Sequence, residues 1–388
     1  MHTFQCTRRS CRTCFGPNFY WHDHKKINTA TVADITRTGV LFVSQKRCFT
    51  ERYLKVFGNI HFRCFASSKG CAWSIRDAYR VSAEGEEKQY GKDFLTHYDE
   101  VHTQALMYYY AVKELEEVDL HKTIVIGDEI SAQALAAYDR HLHQNVYPPA
   151  DRSSIKEVVG DGHMKVAGRC PGASGKHSGR PAKSMKRTMK TTKCMMDRTS
   201  MKATMKVKKV MKQKRDRRSN GWFMLCDPRT QRVLCVTQML SPECNATVKT
   251  ALMKVLPIYY KCDTFVYDRN CSFAPKAQYD PNFQQLDYYP VEPWHGLTHK
   301  KGCKWCTRNV PSYKRRLKGV NCSVCEQTYA WFRHYARVLN EMRYRRHAFL
   351  VLYYVRRHNK CLAEGEADYL NEFAPSVPHA RRKRSYAC

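Results

Sequence analysis

Between residues 155 and 268 the chain alternates strand and helix signals in an order that few folds can accommodate. In "IKEVVGDGHMKV" the residues Val158, Val159, Met164 and Val166 predict a strand with Asp161 at its centre. "GWFMLCDPRTQRVLCVTQ" then reads as a β-hairpin, Trp222 to Cys226 and Arg232 to Thr237, turning through Asp227 and Pro228. "SPEC" predicts a helix start with Ser241 as N-cap and Pro242 in the first position, followed by Val248, Leu252 and Val255 on one face. "KCDTFVYD" returns to a strand that ends at Asp268. A long helix is expected over 324–357, because Cys325, Tyr329, Phe332, Ala336 and Leu339 recur at spacings of four and three. The order strand, hairpin, helix, strand, helix predicts a mixed α/β core.

Acidic residues fall at telling points of that pattern. Asp161 is flanked by Gly160 and Gly162, which weaken a strand and imply close approach by another group, unless the three residues simply make a hairpin turn. Asp268 closes its strand, although Asp-Arg-Asn is also turn chemistry. Glu326 lies in the first turn of the long helix, three residues after Ser323, so a capping box would explain it equally well. Asp128, after Ile124, Val125 and Ile126 in "HKTIVIGDE", is a reserve candidate at the end of a further expected strand. Carboxylates on a central strand, at a strand end and on a helix have the layout of a ribonuclease-H-like nuclease. There, three hard oxygen ligands hold two Mg²⁺ or Mn²⁺ ions about 3.5–4 Å apart.

Charge points to a polyanionic partner. The 388 residues carry 67 Lys and Arg against 35 Asp and Glu, a formal net charge of +32. Much of the excess sits in the Lys-, Met- and Thr-rich low-complexity stretch 172–219, with Lys183, Lys186, Arg187, Lys208, Lys209, Lys212, Lys214, Arg215, Arg217 and Arg218 as phosphate-binding candidates. Arg333 and Arg337 add two more on the polar faces of the long helix. No run of about 18 apolar residues is present and the first residues lack a signal-peptide core, so a soluble intracellular protein is expected.

The 19 cysteines often lie near histidine, which in a reducing compartment favours zinc over disulfides. Cys271, His295, His299, Cys303 and Cys306 offer a structural Zn²⁺ site, with His295 and His299 four apart, Cys303 and Cys306 as C-x2-C, and Cys271 competing with Cys306 for the fourth place. A contribution of His295 to the acidic site is the alternative. Near the start, Cys6, Cys11, Cys14, His22 and His24 form a less complete set. Between them and residue 150, Tyr53, Leu54, Phe57 and Ile60 mark an amphipathic helix continued by Ala72, Trp73 and Ile75, with further helices over about 100–118 and 129–143.

The segments "VVGDGHMKV", "GWFMLCDPRTQRVL", "TFVYDRNCSF", "WHGLTHKKGC" and "CSVCEQTYAWFRHYARVLNEM" resemble the KDZ (Kyakuja, Dileera and Zisupton) transposases and their cysteine-cluster-bearing relatives. The resemblance covers about 155–360, with a weaker match over about 40–80. It implies that Asp161, Asp268 and Glu326 are the first, second and third acids of a ribonuclease-H fold that cuts and joins DNA. The implied partners are double-stranded DNA and further copies of the chain, in the nucleus. The chain departs from the family in its methionine-rich tract and its short N-terminal cysteine module, so a decayed or host-adopted, non-catalytic DNA-binding protein is the alternative.

The expected organisation is a cysteine/histidine module over 1–35, a mainly helical region over 36–150, the ribonuclease-H-like mixed-sheet domain over 151–360 and a basic tail over 361–388. The mixed-sheet domain would hold two insertions, the basic 172–219 and the zinc-like 271–310.

Overall fold

A computed structural model describes residues 4–5, 14–15, 17–44, 47–82, 98–168, 170 and 218–365. At its centre is a four-stranded mixed sheet made of β7 (Glu157–His163), β8 (Trp222–Cys226), β9 (Val233–Gln238) and β10 (Thr264–Tyr267) in the order β10-β7-β8-β9. β8 runs antiparallel to both β7 and β9, whereas β10 lies parallel to β7 with Tyr267 opposite Gly160. Beyond β10, Phe265 and Tyr267 donate backbone hydrogen bonds to the carbonyls of Tyr288 and Pro290, which extends the sheet along an edge where proline is tolerated. The strands expected around Asp161 and Asp268 and the hairpin between them are present, and Asp227 accepts from the amides of Arg229 and Thr230 in the hairpin turn.

Period-two alternation divides the sheet into two apolar faces. Val158, Phe223, Leu225 and Phe265 pack against α6 (Asn245–Val255) and α7 (Asn270–Ala277). Val159, Trp222, Met224 and Val266 face α10 (Val324–Phe332) and α12 (Tyr344–Ala363). Asn359 of α12 both accepts from Val233 N–H, at 2.9 Å, and donates to Val233 C=O, at 2.7 Å, so a helix side chain satisfies the outer edge of β9.

The region before residue 150 shares this second core. Hairpin β3 (Phe19–His22) and β4 (Lys25–Asn28) leads into α1 (Val32–Thr38), which Thr31 and Asp34 start with a capping box. Shorter strands β1 (Phe4–Gln5) and β2 (Cys14–Phe15) complete that sheet, and β5 (Val40–Phe42) pairs with β6 (Cys48–Thr50). Then follow α2 (Glu51–Cys64), α3 (Ser68–Ser82), α4 (Tyr98–Glu116) and α5 (Ala132–His141). Arg356 of α12 pairs with Glu114 and Glu117, at 2.6 Å each, tying this helical region to the helices that cover the sheet.

Four expectations are corrected. Ile124–Ile126 do not form a strand; a single bridge from Val125 to Ile27 is made, after a 3-10 turn over His121–Thr123. Ser241 is not the cap of α6, which begins at Asn245 with Cys244 as N-cap. The long helix is broken: α10 passes through a 3-10 turn into α11 (Ala336–Leu339), and α12 restarts at Tyr344. At that break the Asn340 side chain accepts from Ala167 N–H and donates to Lys165 C=O. Trp73, expected on the buried face, is 45% exposed with Lys69 over its ring.

The glycines beside Asp161 are explained by side-chain approach, and the hairpin-turn alternative is excluded because β7 runs unbroken through them. A Cβ on Gly160 would lie 2.9 Å from both Leu225 Cδ2 and Phe265 Cε2, and one on Gly162 would strike the Glu243 carboxylate. Gly160→Val is therefore expected to overpack the α6/α7 face and destabilise the fold by about 1–3 kcal/mol. Denaturant titration checks this, and an unchanged midpoint would refute the close packing over β7.

Candidate functional site

The register of two strands assembles the site. With Tyr267 beside Gly160 in parallel strands, the next residues, Asp268 and Asp161, come level at the same end of the sheet. Both continue the face of Val266 and Val159, toward α10. The turn after β10 is held by Asn270, fully buried, whose Nδ2 donates to the carbonyls of Phe265 (2.8 Å) and Pro290 (2.9 Å). Across from it, α10 is seated on β7 by Tyr329, whose hydroxyl donates to Asp161 C=O at 2.6 Å, and by the Cys325 thiol on Val159 C=O at 3.2 Å. One turn earlier on that helix is Glu326.

Asp161, Asp268 and Glu326 line one small cavity together with Glu292, His295, Cys322 and Cys325. Asp268 Oδ1 and Glu326 Oε2 are buried with no hydrogen-bond partner. Ser323 makes no side-chain cap at α10, so the capping-box explanation of Glu326 is not realised and its carboxylate is spent in the cavity. Asp128 lies elsewhere, lining a separate cavity with Glu129 and Arg346, and is removed as a reserve for this acidic set.

Burial and mutual crowding raise all three acids. Burial, then Glu326, Glu243 and Asp268, push the Asp161 carboxyl up to about 8. Asp268 is raised by burial against the opposing pull of His295 and Arg269, and Glu326 is raised by burial with Glu292 and Asp268 adding to it. Two members of this neighbourhood carry no signature in the sequence. Glu243 reaches over Gly162 and accepts from the Tyr267 hydroxyl, and Glu292 is brought in from the segment after the sheet edge. Only the strand pairing makes them neighbours of Asp161 and Asp268.

Next to this cavity is a cluster of different chemistry. Ligand atoms of His299, Cys303 and Cys306 lie within 4.8 Å of one another, with Cys303 Sγ 3.8 Å from His299 Nδ1. Cys271, in the first turn of α7, is close enough that the Cys303 thiol acts on it, and burial together with Cys303 pushes Cys306 up to about 12. One imidazole and three thiols suit a soft, tetrahedral cation such as zinc. His295 is not in this group. It turns instead into the acid cavity, where its Nδ1 lies 2.8 Å from Glu292 Oε2, which corrects its expected place as a zinc ligand.

The remaining expected residues divide. Lys183, Lys186, Arg187, Lys208, Lys209, Lys212, Lys214, Arg215 and Arg217 lie outside the described residues, as do Cys6 and Cys11. Arg218 is engaged with the carbonyls of Ala167 and Asn340 and with Glu341 at 2.8 Å, so its first role is to close the fold. Arg337 is exposed, Arg333 half-buried, and His22 and His24 stand exposed at the β3–β4 hairpin. No helix among the described residues is long and apolar enough to cross a membrane. Comparison of the chain with family models, curated proteins and solved structures finds no match.

Because the folded-state pKa of Asp161 lies far above the ordinary carboxylate value of about 4, folding takes up a proton between pH 4 and pH 8. Its contribution to stability is present below that window and lost as pH rises through it. Cation-free protein is expected to melt lower at pH 8 than at pH 5, and Asp161→Asn to flatten that slope; a slope unchanged by the substitution would contradict the crowding. For the thiol cluster, Cys303→Ser is expected to leave one zinc fewer per chain in metal analysis and to lower the melting temperature.

Proposed function

We propose that the chain is a transposase-type DNA strand-cleaving and strand-joining protein of the KDZ kind, working with divalent cations on a ribonuclease-H-like sheet. One observation carries the reading: Asp161, Asp268 and Glu326, from three distant parts of the chain, line one cavity, where Asp268 and Glu326 each bury an oxygen with no hydrogen-bond partner and Asp161 Oδ1 accepts from the Gly162 N–H. Groups so placed repel one another, and a cation between them reverses the sign of that interaction. The sheet supports the same reading, with three antiparallel strands, a fourth parallel to the first, and the acids at the ends of the adjacent parallel pair.

The donor set fits Mg²⁺ or Mn²⁺, because it offers hard carboxylate oxygens while the thiols of the neighbouring cluster are grouped apart from it. Bound there, such ions supply activation of the attacking water or 3′-hydroxyl and stabilisation of the leaving oxygen. The chain's own part is to hold the three acids in fixed positions: Asp161 by its strand, Asp268 by the Asn270 bridge, Glu326 by the seating of α10. Arg269, which acts on Asp268, is exposed, as are Lys300, Lys301 and Lys304 in the segment after His295, and these cations would draw phosphates to this part of the surface. Trp294, 65% exposed and adjacent to His295, offers a ring on which a base could stack. The His299 and cysteine cluster would brace the segment that carries Trp294 and His295. The proposed partner is double-stranded DNA, engaged in the nucleus by further copies of the chain.

Asp268→Asn keeps the shape of the side chain and removes the charge that would hold a divalent ion. Single-turnover cleavage in Mg²⁺ is expected to fall by about 10²-fold or more, while DNA affinity, dominated by basic residues, changes little. Wild-type-like cleavage by the variant would reject the acid centre. Retained DNA binding with no cleavage by the wild type, in Mg²⁺ or Mn²⁺, would favour the non-catalytic alternative.

A further inference from the structure

Beside its four carboxylates and the Cys322 and Cys325 thiols, the acid cavity is lined by the imidazole of His295. It belongs to α8 (Pro293–Gly296), whose N-cap is Glu292. The Glu292 carboxylate is almost fully buried and accepts twice from one residue, from the backbone N–H of His295 at 2.8 Å and from its ring Nδ1 at 2.8 Å. With the Glu292 carboxylate as the acceptor, Nδ1 is the donor of this pair and Nε2 is the ring nitrogen left to face another group. The ring lines the same cavity as Asp268 and Glu326, and both of those acids experience it electrostatically. A carboxylate that fixes one ring nitrogen so as to expose the other is the arrangement by which proteins orient metal-binding imidazoles. The thiol cluster, the alternative metal partner for this ring, gathers His299, Cys303 and Cys306 and does not include it.

We infer that Nε2 of His295 is a nitrogen ligand to the cation held by Asp268 and Glu326, and that Glu292 is the residue that positions it. This rests on the acid centre proposed above and adds a chemical preference to it. Mg²⁺ favours oxygen ligands and an octahedral water-rich shell, whereas Mn²⁺ accepts imidazole more readily, so a mixed nitrogen and oxygen set shifts the site toward Mn²⁺. Removing the ring should then weaken Mn²⁺ binding more than Mg²⁺ binding.

Pulsed electron paramagnetic resonance on the zinc-replete full-length chain with one equivalent of Mn²⁺ tests this directly, with the thiol cluster already filled. A ¹⁴N hyperfine coupling is expected in the wild type. His295→Ala should abolish it while Mn²⁺ remains bound more weakly, and Glu292→Gln should retain a nitrogen signal with about 10-fold lower Mn²⁺ affinity. His295 is 35% exposed, so the first variant is expected to keep the wild-type melting profile, which is measured alongside. Bound Mn²⁺ with no nitrogen coupling in the wild type, or a coupling that survives His295→Ala, would overturn the assignment. Failure of a different kind is distinguishable: if the wild type binds no Mn²⁺, or Asp268→Asn binds it unchanged, the acid centre itself falls and the inference with it.

Discussion

Parallel pairing of β10 with β7 is the constraint on which the rest of the molecule depends. Had β10 joined the sheet in the antiparallel sense of its neighbours, Asp268 would lie at the far end from Asp161. A parallel neighbour instead requires a crossover between the hairpin and β10, and α6 provides it while covering one face of the sheet. With the two ends level, α10 needs only to cross β7 for Glu326 to join them, and Tyr329 and Cys325 fix that crossing by bonding the β7 carbonyls. The result is a local conflict, in which buried acids are crowded together by elements that these hydrogen bonds seat on the sheet.

Much of this architecture was legible in the chain because it is written in short-range patterns. Alternation in "GWFMLC" and "RVLCVT" marks the hairpin, and an acid at a strand centre, a strand end and a helix start could each be located from its flanks. What escaped depended on distance. Glu292 and Glu243 join the site only through tertiary packing, and "SPEC" has the composition of a helix start although Glu243 is kept out of α6 and lies across Gly162. His295 was ambiguous because four-residue spacing from His299 is equally compatible with one face of a helix and with two sites. The short α8 ends at Gly296, so the two rings diverge. Ile124–Ile126 has the composition of a strand, but the fold provides it only one bridging partner, in β4. Helix periodicity continued through 340–343 on paper, while Asn340 found better partners in the backbone after β7.

Two donor sets of different hardness lie within the segment from Glu292 to Cys306. Glu292 and His295 line the cavity of the carboxylates, whereas His299, Cys303 and Cys306 gather near one another. Under the function proposed above, that separation by hardness would let a thiolate site take a soft metal and leave the oxygen-rich site to a hard one. It would also make the positions of Trp294 and His295 sensitive to thiol oxidation, with no change to the acids themselves.

The tract 171–217 interrupts the sheet domain between β7 and β8, yet the chain on either side of it is closed by short contacts. Ser219 N–H donates to Gly168 C=O at 2.8 Å, and Arg218 bridges Ala167, Asn340 and Glu341. Flanks pinned to each other in this way hold the sheet together on their own. Closing a flexible connection costs an entropy that grows only with the logarithm of its length, about 0.6 kcal/mol for each doubling, so the domain is little affected by how many residues separate them. Expansion, contraction or wholesale exchange of the inserted sequence can proceed without disturbing the register that brings Asp161 and Asp268 together, which makes this neck the natural place for the chain to diversify.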